Sequence, residues 1–194
     1  MKADFQIRCP KCSELCEFIY AESIRIQKKG VDYFLNSKIF KVEKTKGWSA
    51  SRTYYYTLHY PYIMPNLENI SDLPEKYSAE NWRRRLGHGI NSTHQDDGVA
   101  VCSFCNIRQK HVLKWPEDAY FQIDYKGQTL WAYNRSYALK LRDYIASKDR
   151  KKRHPNSTDD YIYQDRFLRK IPEHFQTKKA RTEIVKKIEK LIGN

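Results

Sequence analysis

Cys9-Pro10-Lys11-Cys12 and Cys102-Ser103-Phe104-Cys105 are the two stretches on which the reading of this chain turns. In each, a two-residue spacer lets one tight turn aim two thiolates at a common point. Two such turns complete the tetrahedral four-sulfur shell that suits a zinc ion. Pro10 presets one backbone angle of the first turn. Asn106 follows the last cysteine of the second, where such turns call for a left-handed backbone that Asn tolerates. Arg108 and Lys110 come next and offset the negative charge of a zinc tetrathiolate. The expected ligands are Cys9, Cys12, Cys102 and Cys105, around one Zn2+.

The fifth cysteine, Cys16, reads as a small buried hydrophobe, with replacement of Cys12 as a ligand the alternative. A disulfide framework leaves an odd thiol and requires an oxidising compartment. Two redox-active dithiols are a further alternative, but neither pair sits at a βα junction of thioredoxin type. Between Cys12 and Cys102 lie 89 residues, far more than the roughly 15 to 20 of a compact ribbon. Loop-closure entropy grows only logarithmically with length, so the separation is tolerable if the insert folds itself.

The paired knuckles, Cys9 to Cys12 and Cys102 to Asn106, resemble those of the zinc-ribbon and treble-clef classes. That resemblance implies a four-cysteine zinc ribbon and, as in many of its members, nucleic-acid binding. The fold expectation is therefore α+β: a zinc ribbon with a long β-rich insert and a basic helical C-terminal segment. Residues 1–133 form the zinc-binding domain, with the insert at about 17–98, and residues 134–194 form the helical segment packed on it.

Charge points the same way. The chain has 36 Lys and Arg against 23 Asp and Glu, a formal net charge of +13 over 194 residues. From Asn134 to Asn194 there are 17 basic and 8 acidic residues. Such a field attracts phosphate backbones and releases their counterions. No window approaches the roughly 18 to 20 apolar residues that span a bilayer, and the basic residues are not confined to one face of one long amphipathic helix. With no apolar signal core before Cys9, a cytoplasmic protein without a membrane partner is expected.

Along the chain, residues 4–8 and 17–27 read as strands around the first knuckle. Residues 31–43 and the aromatic run 52–63 continue the β pattern around the turn-prone Lys44-Thr45-Lys46-Gly47. Ser78 to Leu86 reads as a short helix, and His88 to Gly98 as an exposed loop. Ala119–Asp124 and Thr129–Tyr133 make a hairpin about Lys126-Gly127. Asn134 caps a helix running from Arg135 to about Ser147. A further helix is read over 161–170, and Thr177 caps a last one with Ala180, Ile184, Val185, Ile188, Leu191 and Ile192 on its apolar face. That face suits packing within the chain or against another subunit.

Four basic features supply the candidate nucleic-acid contacts. They are Arg83, Arg84 and Arg85; Arg108, Lys110 and Lys114 beside the second knuckle; the run Arg150, Lys151, Lys152 and Arg153; and Lys178 and Lys179 at the last helix. Arg offers planar bidentate donors and Lys a point charge. Trp48, Tyr54, Tyr55, Tyr56 and Tyr60 can offer stacking faces for unpaired bases, although alternation in a strand turns about half of such a run inward.

The functional expectation is a non-catalytic, zinc-containing protein that binds DNA or RNA as an accessory component of a processing assembly. Two alternatives stand beside it. One is an interaction subunit of a larger protein complex. The other is a metal-dependent nuclease: Cys102-Ser103-Phe104-Cys105-Asn106-Ile107-Arg108-Gln109-Lys110 resembles the C-x-x-C-N-x-x-K segment of HNH nucleases. Those need a His base beside a divalent metal, and the candidates are His88 and His94 with Asn91, Asp96 and Asp97 nearby. The chain lacks an Asp-His pair there. It has no phosphate-binding loop, dinucleotide glycine pattern, nucleophile elbow or H-E-x-x-H.

Overall fold

A computed structural model describes residues 5–46, 52–84, 97–147, 168 and 171–193. It is a mixed α+β structure with several antiparallel sheets and, among the described residues, three helices. The chain forms two units: Cys9–Lys114, and Phe5–Arg8 together with Trp115–Asn194. The hairpin that the sequence groups with the zinc-binding region packs in the second unit.

In the first unit, three strands bring distant sequence together. Leu15–Tyr20 (β2, following β1 at Phe5–Arg8) and Arg108–Val112 (β8) flank Asp97–Val101 (β7), both pairings antiparallel. Phe18 lies opposite Ala100 and Tyr20 opposite Gly98. Val99 lies opposite Lys110 and Val101 opposite Arg108. Gly98 is required by close approach, because a Cβ there would run into the Ile19 carbonyl and the Phe18 ring.

The long insert does fold itself. Glu22–Ile26 (β3), Lys41–Lys46 (β4), Thr53–His59 (β5) and Arg83–Arg84 (β6) form a second antiparallel sheet in the order β4-β5-β3-β6. Several segments depart from the sequence expectation, among them Asp97 and Gly98, which open β7 where an exposed loop is expected. Val31–Asn36 is a helix (α1), burying Val31 and Phe34 one turn apart. Its Phe34 ring meets those of Phe40 at 5.3 Å and Tyr77 at 5.1 Å, and Phe40 stacks on Trp82 at 5.5 Å. This aromatic core outweighs the strand propensity of a stretch too short for periodicity to assign. Of the helix expected from Ser78 to Leu86, the described residues 78–84 form none: a 3-10 turn at Ala79–Asn81 gives way to β6, which pairs with β3. Trp82 sets that outcome by burying its ring and donating Nε1–H to the Tyr77 carbonyl at 2.9 Å. Buried His59 is satisfied at both nitrogens, with Nδ1 3.1 Å from Glu22 Oε2 and Nε2 donating to the Pro65 carbonyl at 2.9 Å.

In the second unit, Phe121–Tyr125 (β9) and Gln128–Ala132 (β10) pair across Lys126-Gly127, both at positive φ, as a two-residue hairpin turn requires. Arg135–Ala146 (α2) follows. Asn134 caps it, its side-chain oxygen accepting from the Tyr137 N–H at 3.0 Å. Lys178–Gly193 (α3) starts at Thr177, whose hydroxyl accepts from the Ala180 N–H at 3.2 Å. Ala180, Ile184 and Ile188 are buried with Ala138, Leu141 and Ile145 of α2 and the apolar side of the hairpin. The apolar face of α3 is thus used within the chain. Backbone bonds from Gln6 to Tyr133 and from Arg8 to Asp118 hold β1 in this unit.

Candidate metal centre

Each cysteine pair occupies a turn of the same construction. In the first, the Cys9 N–H donates to the Glu14 carbonyl at 2.8 Å, and Ser13, four residues after Cys9, has a φ of 65°. In the second, the Cys102 N–H donates to the Ile107 carbonyl at 3.1 Å, and Asn106, four residues after Cys102, has a φ of 56°. The same backbone bond and a left-handed residue at the same position recur in both turns. Asn106 adopts the conformation its sequence position suggests. Ser13 does so without an obvious signal, although a short polar side chain tolerates it.

Strand pairing brings the two turns together. The four Sγ atoms of Cys9, Cys12, Cys102 and Cys105 lie within 4.8 Å of one another. Cys9 and Cys105 are 3.5 Å apart, and Cys12 and Cys102 are 3.7 Å apart. Four sulfurs about 2.3 Å from a tetrahedral ion stand about 3.8 Å from each other. The spacing therefore fits a metal ion and exceeds the roughly 2.05 Å of a disulfide. All five cysteines are free thiols. The four clustered ones can coordinate a metal ion.

The electrostatics of Cys9, Cys12 and Cys105 favour the same conclusion. Burial opposes ionisation of Cys9, but the N–H groups of Cys12 and Lys11 and the sulfurs of Cys12 and Cys105 bring it down to about 6. The Lys11 N–H sits 3.4 Å from the Cys9 sulfur. Desolvation, followed by the sulfurs of Cys9, Cys105 and Cys102, pushes Cys12 up to about 12 against the Glu14 N–H. Desolvation and the Cys9 and Cys102 sulfurs likewise raise Cys105. The Cys9 thiolate is accommodated while Cys12 and Cys105 resist ionising beside it, so a cation is what lets them ionise together.

Cys16 lies outside the four. It is 1% exposed on β2, and burial, then the charges of Cys9 and Cys102, push it up to about 12. That is the behaviour of a packed, inert thiol. His111 is also no part of the cluster. It is half-buried on β8, its ring 6.3 Å from that of Phe18.

The candidate nucleic-acid contacts divide by position. Arg108, Lys110 and Lys114 are exposed at and after β8. The β8 register puts Arg108 and Lys110 on one face, two residues apart. Lys110 Nζ lies 4.3 Å from the centroid of the Tyr60 ring, and the Arg108 guanidinium 6.0 Å from that of Tyr62. Arg83 is exposed but turned back, its Nη1 donating to the carbonyls of Glu80 and Trp82. Arg84 is placed by its backbone alone, in β6. Lys178 and Lys179 are exposed in the first turn of α3. Arg85, the run Arg150 to Arg153, the nuclease candidates His88 and His94 with Asn91 and Asp96, the helix read over 161–170 apart from Leu168, and Trp48 lie outside the described residues. Asp97 opens β7.

The aromatic run is mostly committed to structure. Tyr54 sits under Arg25, whose guanidinium is 4.0 Å from its centroid, Tyr55 packs on the Phe34 core, and Tyr60 is buried. Two exposed rings escape the sequence reading. Phe104, at the tip of the second knuckle, is 73% exposed, and Tyr62 is 44% exposed. Tyr62 reads as a continuation of the strand. The pair Pro61-Tyr62 actually lies in a turn closed by the Met64 N–H donating to the Tyr60 carbonyl at 3.0 Å. A cleft of about 400 Å³ in this unit is lined by Glu22, Glu68, Glu80, His59 and Pro61, the residue before Tyr62, and its three carboxylates repel phosphate within it. No helix among the described residues is long and apolar enough to cross a membrane.

The chain matches no protein-family model, no curated protein and no solved structure.

Proposed function

We propose that this chain is a zinc-ribbon-like protein whose Zn2+ is structural and whose role is to bind nucleic acid without catalysis. The single observation behind this reading is the placement of Arg108 and Lys110. They stand exposed on one face of β8, the strand that leaves the second knuckle. A metal-pinned turn holds its backbone stiffly, so cations on the adjoining strand are pre-positioned for phosphates and lose little entropy on contact. The net charge of +13 supplies the long-range attraction. Four thiolates around one site leave no open position for substrate, which suits a structural ion. Zinc is preferred because an all-thiolate tetrahedral shell suits it and it brings no redox chemistry of its own.

The test is a salt-titrated binding measurement on duplex DNA, duplex RNA and single strands of each. Affinity is expected to fall steeply and log-linearly with salt concentration. Removing both charges in Arg108→Ala/Lys110→Ala should weaken binding across sequences and lower the slope by about 1.4 to 1.8. A flat salt response, or a slope unchanged in the double variant, refutes the assignment. Elemental analysis of the purified chain should return one zinc per molecule.

A further inference from the structure

Tyr62 is in an improbable state for a tyrosine. Its φ is 64°, in the left-handed region that Gly or Asn occupies with least strain. It nevertheless exposes 44% of its surface at the tip of the turn after β5. A strained, exposed aromatic contributes little to stability, and strain of this kind collects where a surface contacts a ligand. The surroundings indicate which ligand. The Arg108 guanidinium lies 6.0 Å from the Tyr62 centroid, and Lys110 follows on the same face. Phe104, the most exposed large apolar residue described, stands in the turn that delivers the chain to Arg108. The cations thus follow one exposed ring in sequence and approach the other in space. Flat apolar faces and phosphate donors are presented together on one unit.

On the reading that the chain binds nucleic acid, we infer that Tyr62 and Phe104, with Arg108 and Lys110, form a stacking platform for unpaired bases. The preferred ligand is a single strand. Its bases lie on the two rings and its phosphates on the two cations. A duplex keeps its bases stacked on one another and offers this surface only its phosphates, so it gains from the cations but not from the rings. An acidic protein would use the same cations but would gain nothing specific from flat stacking.

The test compares a labelled oligothymidylate with a duplex of the same length, using the full zinc-loaded chain. Tyr62→Asn removes the ring while easing the backbone, so folding and zinc content are retained. Tyr62→Phe keeps the stacking face, and Phe104→Ala removes the second ring. The wild-type chain should prefer the single strand. Tyr62→Asn and Phe104→Ala should each lower oligothymidylate affinity about 5- to 150-fold, the range for loss of one stacked base. Duplex affinity and the salt slope should stay unchanged, and Tyr62→Phe should match the wild type. Equal loss on both ligands, or oligothymidylate affinity untouched by both ring removals, overturns the platform. Equal binding of both ligands by the wild type overturns it while leaving nucleic-acid binding standing. No binding to either, or binding only to an acidic polypeptide, removes both readings.

Discussion

Ser13 and Asn106 carry the backbone of the metal centre in a conformation most residues avoid, at φ of 65° and 56°. A β-branched side chain at either position would press Cβ against the following carbonyl. Asn106→Val is therefore expected to destabilise the metal-loaded protein by about 1–2 kcal/mol, whereas Asn106→Gly should be nearly neutral. Thermal melts of the zinc-loaded chain check this. Equal effects of Val and Gly would mean that the Asn side chain matters for another reason. The cysteines are legible in the sequence because C-x-x-C is a local signal whose chemistry does not depend on the rest of the fold. Tyr62 and Phe104 are not, because exposure is decided by what packs nearby. Nothing in Tyr60-Pro61-Tyr62 distinguishes a buried ring from one standing out of a turn.

Elements with a strong local pattern are readable from sequence, and those fixed by distant partners are not. The hairpin about Lys126-Gly127, and α2 and α3 with their Asn134 and Thr177 caps, each satisfy periodicity, turn chemistry and capping together. By contrast, α1 spans six residues, too few for a period to register, and owes its form to Phe40 and Tyr77 closing on Phe34. The 79–84 stretch takes its form from Trp82 and from pairing with β3, about 60 residues earlier in the chain. Packing also decides whether α3 keeps its apolar face for itself. Ile184 is fully buried in the α2–hairpin core, so Ile184→Ala should cost about 2–5 kcal/mol in urea unfolding. Glu183→Ala, one position away and exposed, should change stability by less than about 0.5 kcal/mol. Similar small effects at both positions would show that the face is not packed in solution.

At the scale of the molecule, one ion would join a turn near residue 10 to another near residue 104 and close the 89-residue insert between Cys12 and Cys102. Fixing a loop of that length removes about 4–5 kcal/mol of chain entropy from the unfolded state. Chelation should therefore cost β2, β7 and β8 their hydrogen-exchange protection before α2 and α3, whose core contains none of the four ligands. Acid should have the same effect as a chelator. Without metal at neutral pH, Cys9, at about 6, is already a thiolate, while Cys12, at about 12, and the raised Cys105 hold protons. Binding the ion must displace at least those two protons, so protonation favours the metal-free state and affinity must fall as pH falls. Two released protons correspond to at least about a 100-fold loss of apparent affinity per pH unit. The dependence steepens below about 6, where Cys9 also takes up a proton. Competition against a chromogenic chelator, corrected for that chelator's own protonation, measures the slope. A pH-independent affinity would mean that the thiols do not bind the ion as thiolates, and the two knuckles would then be joined by strand pairing alone.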